Sequence, residues 1–353
     1  MSLLIKTSDN SYNIYVDEYI NKNFYSYIDD LNKGQKFILC YPKNLKFHIS
    51  KIISNLKSFG INILSLEIRD GEENKNFSNL KNLTQALIKM NCQRDSILIS
   101  VGGGTTGDIV GFLASVYMRG IKYINVPTTL LSMVDSSVGG KTAINSNDVK
   151  NIIGTFHQPC GVFISTSFLD TLNTNHIRSG LGEIIKYGFI QNPTLLSLIC
   201  ENYDCIIQLK NKDLIKNIIL ESCKSKKIFV EKDVKDYHFR NILNFGHTFG
   251  HIIEIKYQTQ NISHGEAILN GIYLSVKLSY KKGIMNESVY KSILDKFNLL
   301  KIEYTYKLNP FDLENIKSDK KSKNNNIRFV LLEDIGKPIL VDNIELDELK
   351  EVI

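Results

Sequence analysis

The chain has 353 residues, 43% of them hydrophobic and 23% charged, with a formal net charge of +6. At roughly 150 residues per domain this length predicts two domains, and the composition excludes a collagen-like, a disordered or a membrane-dominated chain. The basic residues are spread along the whole chain rather than gathered into one arm, so nucleic acid is not implied as a partner; a modest positive balance suits a small anionic substrate equally well. Six cysteines (Cys40, Cys92, Cys160, Cys200, Cys205 and Cys223) lie far apart with no C-x-x-C pair, which suggests neither a disulfide framework nor a zinc ribbon and fits a reducing compartment. The opening MSLLIKTSDNSYNIYVDE has neither the apolar core of a signal peptide nor an Arg-rich transit pattern. No later run reaches the roughly 18 apolar residues of a membrane span, so a cytoplasmic chain with no membrane partner is expected.

The first residues read as a small antiparallel hairpin standing before the main sheet. From Phe37 to about Leu169 the short apolar runs FILCYP, INILSLEI, SILISVGGG, KYINVPTT and VFISTSFL alternate with helix-like stretches such as FSNLKNLTQALIKM. This alternation predicts a parallel, doubly wound α/β sheet. Beyond about Thr171 the β-branched runs thin out, and NPTLLSLICENYDCIIQL, DLIKNIILESCKSKKIFVEK and GEAILNGIYLSVKLSYKKG predict a helical domain. The final NIRFVLLEDIGKPILVD reads as a small hairpin, and there is neither an internal repeat nor a low-complexity linker. The expected division is 1–170 and 171–353.

In SILISVGGGTTGDIVGFLA an apolar strand runs into Gly102, Gly103 and Gly104, after which Thr105 to Asp108 open a helix. Glycines let the backbone approach a ligand closely, and a helix start attracts a pyrophosphate. Gly107 follows the triplet; alone, the segment fits dinucleotide binding and an ordinary tight turn about equally. Upstream, Asp70-Gly71-Glu72 ends another predicted strand, where an acid suits a ribose hydroxyl, although a solvated turn explains it as well.

The stretch NVPTTLLSMVDSSVGGKTAINSNDVKNIIGTFHQP is dense in hydroxyls, glycines and polar side chains, and loops of this kind usually hold ligands. Thr128 and Thr129 end a strand, and Asp135, Lys141, Lys150 and Asn151 follow, so charged groups can converge on one small polar molecule. In LNFGHTFGHIIE, His247 and His251 stand four apart, with Glu254 nearby, and SHGEAI adds His264 and Glu266. Histidines at i and i+4 on a helix can share a zinc, or one can bind metal while the other contacts substrate; hydrogen-bonded core histidines are the alternative. Glu183 in SGLGEIIKYG, beside Lys186, is a candidate third ligand.

Taken together, DGEENK, GGGTTGD-x-x-GF-x-A, RGI-x-x-x-x-VPTTLL, VDSSVGGKT, KN-x-IG-x-F-x-QP, GLGEIIKYG, LNFGHTFGHIIE and SHGEA resemble, in content and order, the 3-dehydroquinate synthase family of sugar phosphate cyclases, over nearly the whole chain. The resemblance implies an N-terminal Rossmann-like α/β domain that binds NAD, followed by a mostly α-helical metal- and substrate-binding domain, with the active site in the cleft. It implies NAD contacts at Asp70, Glu72, Lys75, Gly104, Asp108, Thr128, Thr129, Lys141, Lys150 and Thr171 of the FLDT segment. Zinc ligands fall on Glu183, His247 and His264, with cobalt as the alternative ion. Substrate and catalytic positions fall on Asp135, Lys141, Lys150, Asn151, Lys186, Lys226, Arg240, Asn244 and His251. A last family lysine lies at Lys320 or Lys321, and Lys227 beside Lys226 leaves that position open by one.

The family's substrate is 3-deoxy-D-arabino-heptulosonate 7-phosphate, converted to 3-dehydroquinate and phosphate on the shikimate route to aromatic amino acids. The lysines and Arg240 suit a substrate with both a phosphate and a carboxylate. The implied sequence is transient oxidation by NAD, β-elimination of phosphate, return of the same hydride, ring opening and an aldol closure, so NAD is not consumed. A homodimer is implied as well, and 353 residues suit one free-standing synthase. Another NAD- and zinc-using sugar phosphate cyclase is the nearest rival, and a metal-dependent polyol dehydrogenase the next.

Overall fold

The computed structural model describes residues 1–8, 10–147, 149–302, 304–313 and 327–353. The chain divides into two compact units, Met1–Leu172 and Asn173–Ile353.

The first unit contains β1 (Ser2–Lys6), β2 (Ser11–Asp17), α1 (Lys22–Leu31), β3 (Phe37–Pro42), α2 (Lys46–Ser58), β4 (Ile63–Ile68), α3 (Phe77–Lys89), β5 (Ile97–Gly102), α4 (Gly104–Val116), β6 (Lys122–Pro127), β7 (Lys141–Ser146), β8 (Val149–Phe156) and β9 (Gly161–Ser165). Seven strands form one sheet in the order β1-β2-β9-β6-β5-β3-β4. FILCYP in β3 and ILISVG in β5 are buried along their whole length, as parallel strands covered on both faces must be. One core packs Ile38, Leu98, Leu87, Val110, Leu113 and Ile144, drawn from strands β3, β5 and β7 and helices α3 and α4.

From β3 the chain steps outward to β4, then returns to β5 on the other side of β3. Such a reversal opens a crevice beyond the carboxyl ends of the strands, where open α/β sheets take their ligands. Asp70, Gly104 and Thr128 all follow the carboxyl ends of β4, β5 and β6.

Two expectations are corrected. The opening hairpin does not precede the sheet: β2 pairs in parallel with β9, because Tyr12, Ile14 and Val16 bury one face of β2. The segment read as a ligand loop is in part an antiparallel hairpin, β7 with β8, pairing Lys141 with Phe156 and Ile144 with Ile153. Strand β8 is mostly exposed, so it lacks the apolar alternation that announces a strand.

The second unit contains α5 (Thr174–Ile190), α6 (Pro193–Ile207), α7 (Lys212–Lys232), α8 (His247–Lys256), α9 (His264–Lys281), α10 (Glu287–Leu299), β10 (Ile327–Asp334), β11 (Lys337–Ile344) and α11 (Leu346–Lys350). Asparagine caps α5, α6, α7 and α10: Asn173, Asn192, Asn211 and Asn286 each accept a hydrogen bond from the amide three residues on, each cap contributing about 1 kcal/mol. Ser263 caps α9 in a reciprocal capping box with Glu266. Helix α5 is buried continuously from Ser179 to Ile190, the mark of a helix packed on all sides. The expected final hairpin is present as β10 and β11, antiparallel, and Phe329 and Leu331 join Phe249, Ile253, Leu274 and Leu278 in the second core. Lys320 and Lys321 lie outside the described residues. Among the described residues no helix is long and apolar enough to cross a membrane.

Candidate active site

Glu183, His247 and His264 come from α5, α8 and α9, and one donor atom from each lies within 4.8 Å of the others. Each is adjacent to a glycine, Glu183 following Gly182, His247 following Gly246 and His264 preceding Gly265, and the contacts at those glycines explain the convergence. Helices α5 and α9 cross so closely that a Cβ on Gly182 would lie 2.4 Å from the Cα of Gly265, and one on Gly265 would lie 2.4 Å from the carbonyl oxygen of Ser179. Gly246 takes a left-handed turn (φ +79°), and a Cβ there would meet Ile272 Cγ1 at 2.5 Å and Ile268 O at 2.9 Å. Side chains larger than hydrogen at these positions would push the donor-bearing helices apart.

Glu183 is 1% exposed. Its Oε2 accepts from Lys186, itself buried, while Oε1 lies 3.5 Å from His247 Nε2 and 3.4 Å from His264 Nε2 and has no hydrogen-bond partner of sound geometry. Burial alone would raise the Glu183 pKa; Lys186 and then the two histidines outweigh it and hold the carboxyl well below the usual range. Burial, reinforced by Lys186, drives the His247 pKa well down. Burial also opposes charge on His264, yet the neighbouring carboxylates of Glu183 and Glu254 carry that ring up to about 10. A carboxylate and two imidazoles that turn their acceptor atoms on one point form a donor set suited to a tetrahedral divalent ion with an open position.

His251 stands one turn beyond His247, its ring edge-on at 5.3 Å, but it is exposed and outside the trio. Arg240 is 2% exposed; its Nη1 donates to Val234 O at 3.0 Å and its backbone N–H to Asp233 Oδ2 at 3.2 Å. Asp233 also accepts from the amides of Tyr237 and His238, so one carboxylate folds the segment that presents Arg240. Those amides, outweighing the cost of burial, hold the Asp233 pKa below its ordinary value. Lys226 is buried on α7, and half-buried Asn244 ends the short 3-10 turn after it, its Nδ2 3.5 Å from Asn241 Oδ1.

In the first unit, α4 starts at Gly104 behind Gly103, which offers no side-chain cap, so the amides of its first turn suit an anion. Around this helix start, Thr105 Oγ1 donates to Glu72 Oε2 at 3.1 Å and Asn145 Nδ2 to Glu72 Oε1 at 2.8 Å. Lys75, 3% exposed, donates to Asp108 Oδ2 at 2.5 Å and to Asn151 Oδ1. The Asp108 pKa is raised, burial prevailing over the pull of Lys75 and being helped by the charges of Glu72 and Asp135. Asn151 holds a left-handed backbone (φ 56°), and its N–H donates to Asn145 Oδ1 at 2.8 Å. Thr128 N–H donates to Gly102 O at 2.9 Å, tying the ends of β5 and β6 together.

Asp70, Lys141, Lys150 and Thr171 are exposed, Thr171 donating back to Phe168 O at 3.5 Å. Thr129 is half-buried and bonds to Ser132, which opens the π-helical turn Ser132–Ser136 that carries Asp135. Sequence reasoning passed over Thr105 and Asn145, although both lie inside motifs it quoted. Their partner Glu72 stands 33 and 73 residues away.

The architecture is one shared with sugar phosphate cyclases. It superposes on a 2-epi-5-epi-valiolone synthase from Streptomyces hygroscopicus, solved with NAD+ and Zn2+, with a TM-score of 0.86 at 23% identity, covering 100% of this chain and 97% of that one. It superposes on a 2-deoxy-scyllo-inosose synthase, solved with carbaglucose-6-phosphate, NAD+ and Co2+, with a TM-score of 0.83 at 24% identity, covering 100% and 99%. Sequence narrows the class. Residues 65–179 match the family described as 3-dehydroquinate synthase N-terminal, and 180–322 the one described as 3-dehydroquinate synthase C-terminal. The 3-dehydroquinate synthase of Clostridium tetani is 41% identical over 348 residues, 98% of this chain and 92% of that one. That of Dictyoglomus thermophilum is 40% identical over 348 residues, 97% and 95%. The chain belongs to the 3-dehydroquinate synthase family and is an enzyme.

Proposed function

We propose that this enzyme converts 3-deoxy-D-arabino-heptulosonate 7-phosphate to 3-dehydroquinate and phosphate, with NAD as a recycled cofactor and zinc, or cobalt in its place, at Glu183, His247 and His264. The observation that carries the metal is the buried Glu183 Oε1, without a hydrogen bond and facing two imidazole nitrogens. Most buried polar atoms in proteins are hydrogen-bonded, and a cation would complete this set. When bound, the metal polarises the hydroxyl to be oxidised and NAD accepts and later returns the hydride.

The chain's own residues do the rest. Lys186 occupies Glu183 Oε2 and so keeps Oε1 aimed at the histidines. The first turn of α4 receives the pyrophosphate, Glu72 and Asp70 the ribose hydroxyls, and Lys75 and Asp108 fix the loop that carries them, with Thr128, Thr129 and Thr171 bordering the nucleotide. Arg240, Lys226, Lys141 and Lys150 bind the carboxylate and phosphate through charge-assisted hydrogen bonds. Asp135, Asn151, Asn244 and His251 orient hydroxyls and relay protons among them. The departing phosphate takes the proton from its neighbouring carbon, a transfer favoured by its fixed proximity.

The homodimer and the cytoplasmic location expected of the family belong to the same proposal. The test is a substrate panel: metal-loaded protein with NAD is given the heptulosonate phosphate, glucose 6-phosphate and sedoheptulose 7-phosphate in turn, with products identified by mass. Dehydroquinate from the first alone is expected; turnover of either of the others in its place overturns the substrate assignment.

A further inference from the structure

Glu254 stands among the histidine motifs, yet none of the roles above uses it. It lies seven residues after His247 on α8, two turns along the same face, and its Oε2 is 3.4 Å from Nδ1 of His264 on α9. Nε2 of the same ring is 3.4 Å from Glu183 Oε1. The His264 ring therefore faces a carboxylate at each nitrogen, Glu254 at Nδ1 and Glu183 at Nε2. His247 has a parallel arrangement from a different source: its Nδ1 lies 3.2 Å from the carbonyl oxygen of Phe245, brought round by the left-handed turn at Gly246, and its Nε2 faces Glu183 at 3.5 Å. His264 opens α9 behind the extended cap Ser263, and its acceptor is a side chain from the neighbouring helix.

We infer that Glu254 is a positioning residue of the metal centre: it accepts the Nδ1–H of His264, which fixes the tautomer whose Nε2 lone pair faces Glu183 and His247. A ligating imidazole whose other nitrogen donates to a carboxylate is a stronger and better-aimed ligand than a free one. The two histidines then differ in kind. His247 is oriented by a neutral backbone group, His264 by a charge on another helix, so Glu254 makes the metal site depend on the packing of α8 against α9.

The inference rests on the metal reading, and the experiment separates the two. Zinc and cobalt affinities of wild type, Glu254→Gln and Glu254→Ala are measured by competition with a chelator at fixed pH. The visible spectrum of the cobalt forms, the melting temperature of the metal-free proteins and the NAD affinity are recorded alongside. Glu254→Ala is expected to weaken zinc about 10- to 100-fold and to change the cobalt spectrum, with NAD affinity within about twofold. Glu254→Gln, which keeps an acceptor oxygen and loses the charge, falls between. A residue that only tied two helices together would lower the melting temperature and leave both affinity and spectrum alone, and that result overturns the inference. Where Glu254→Ala does not fold, Glu254→Gln decides on the same criteria. A wild-type protein that binds neither ion overturns the metal reading and this inference with it.

Discussion

The surroundings of the α4 start in the first unit and the donor cluster of the second solve opposite problems. Around α4, charges answer one another: Glu72 is held by Thr105 and Asn145, and Lys75 by Asp108 and Asn151. A ligand there has to exchange hydrogen bonds, which suits a cofactor that loads reversibly. Around Glu183 the acceptors face each other across a gap, held by backbone crossings that admit only glycine. Such a cluster is incomplete without a cation, and helix packing at the glycines brings its donors together.

The strongest way to break this contrast is Gly265→Ala. A methyl group forced to 2.4 Å from two backbone carbonyls should cost about 3 kcal/mol or more, with loss of cooperative melting or of bound metal; an unchanged melting curve would mean that the crossing is not what sets the cluster. Next is His247→Ala. Losing a donor whose ion contributes several kcal/mol to the transition state should lower turnover about 10²- to 10⁴-fold while NAD still binds, and normal activity in a metal-stripped variant contradicts the donor set.

Arg240→Ala probes the anion side: substrate and phosphate affinity should fall about 10-fold or more, far more than NAD affinity, and equal losses of both would move Arg240 away from the substrate. Arg240→Lys, less disruptive to fold, should keep only part of the affinity. In the first unit, Asn145→Asp sets an acceptor against Glu72 where a donor now stands; NAD affinity should drop about tenfold with metal content unchanged, read by calorimetry.

The smallest effect is the pH dependence at Asp233, whose carboxyl sits below its ordinary pKa through amides it accepts from. Its contribution is fully present above the unfolded carboxylate value, about 4, and fades as pH falls through the lower folded one. Wild type should therefore exceed Asp233→Asn in denaturant midpoint at pH 7, with the margin narrowing in strong acid; a constant margin would place the effect in packing.

The parallel strands were readable because burial on both faces writes them as unbroken apolar runs, as in FILCYP and SILISV. Strand β8 was not, since VKNIIGTF is largely exposed, and the place of β2 in the sheet depends on pairing with β9 far along the chain. The donor residues stood out because histidines and an acid among glycines are rare and local. What the sequence concealed is the work of the glycines and of Asn145. Gly182 and Gly265 matter only through a helix crossing, and Asn145 through a partner 73 residues away.

The most direct test of the central claim, a redox cofactor that is recycled within each turnover, follows phosphate and NADH together on the heptulosonate phosphate with trace NAD. The account predicts phosphate in large excess over NAD with no net NADH; NADH accumulating in step with substrate consumption, and halting when NAD is exhausted, would contradict it.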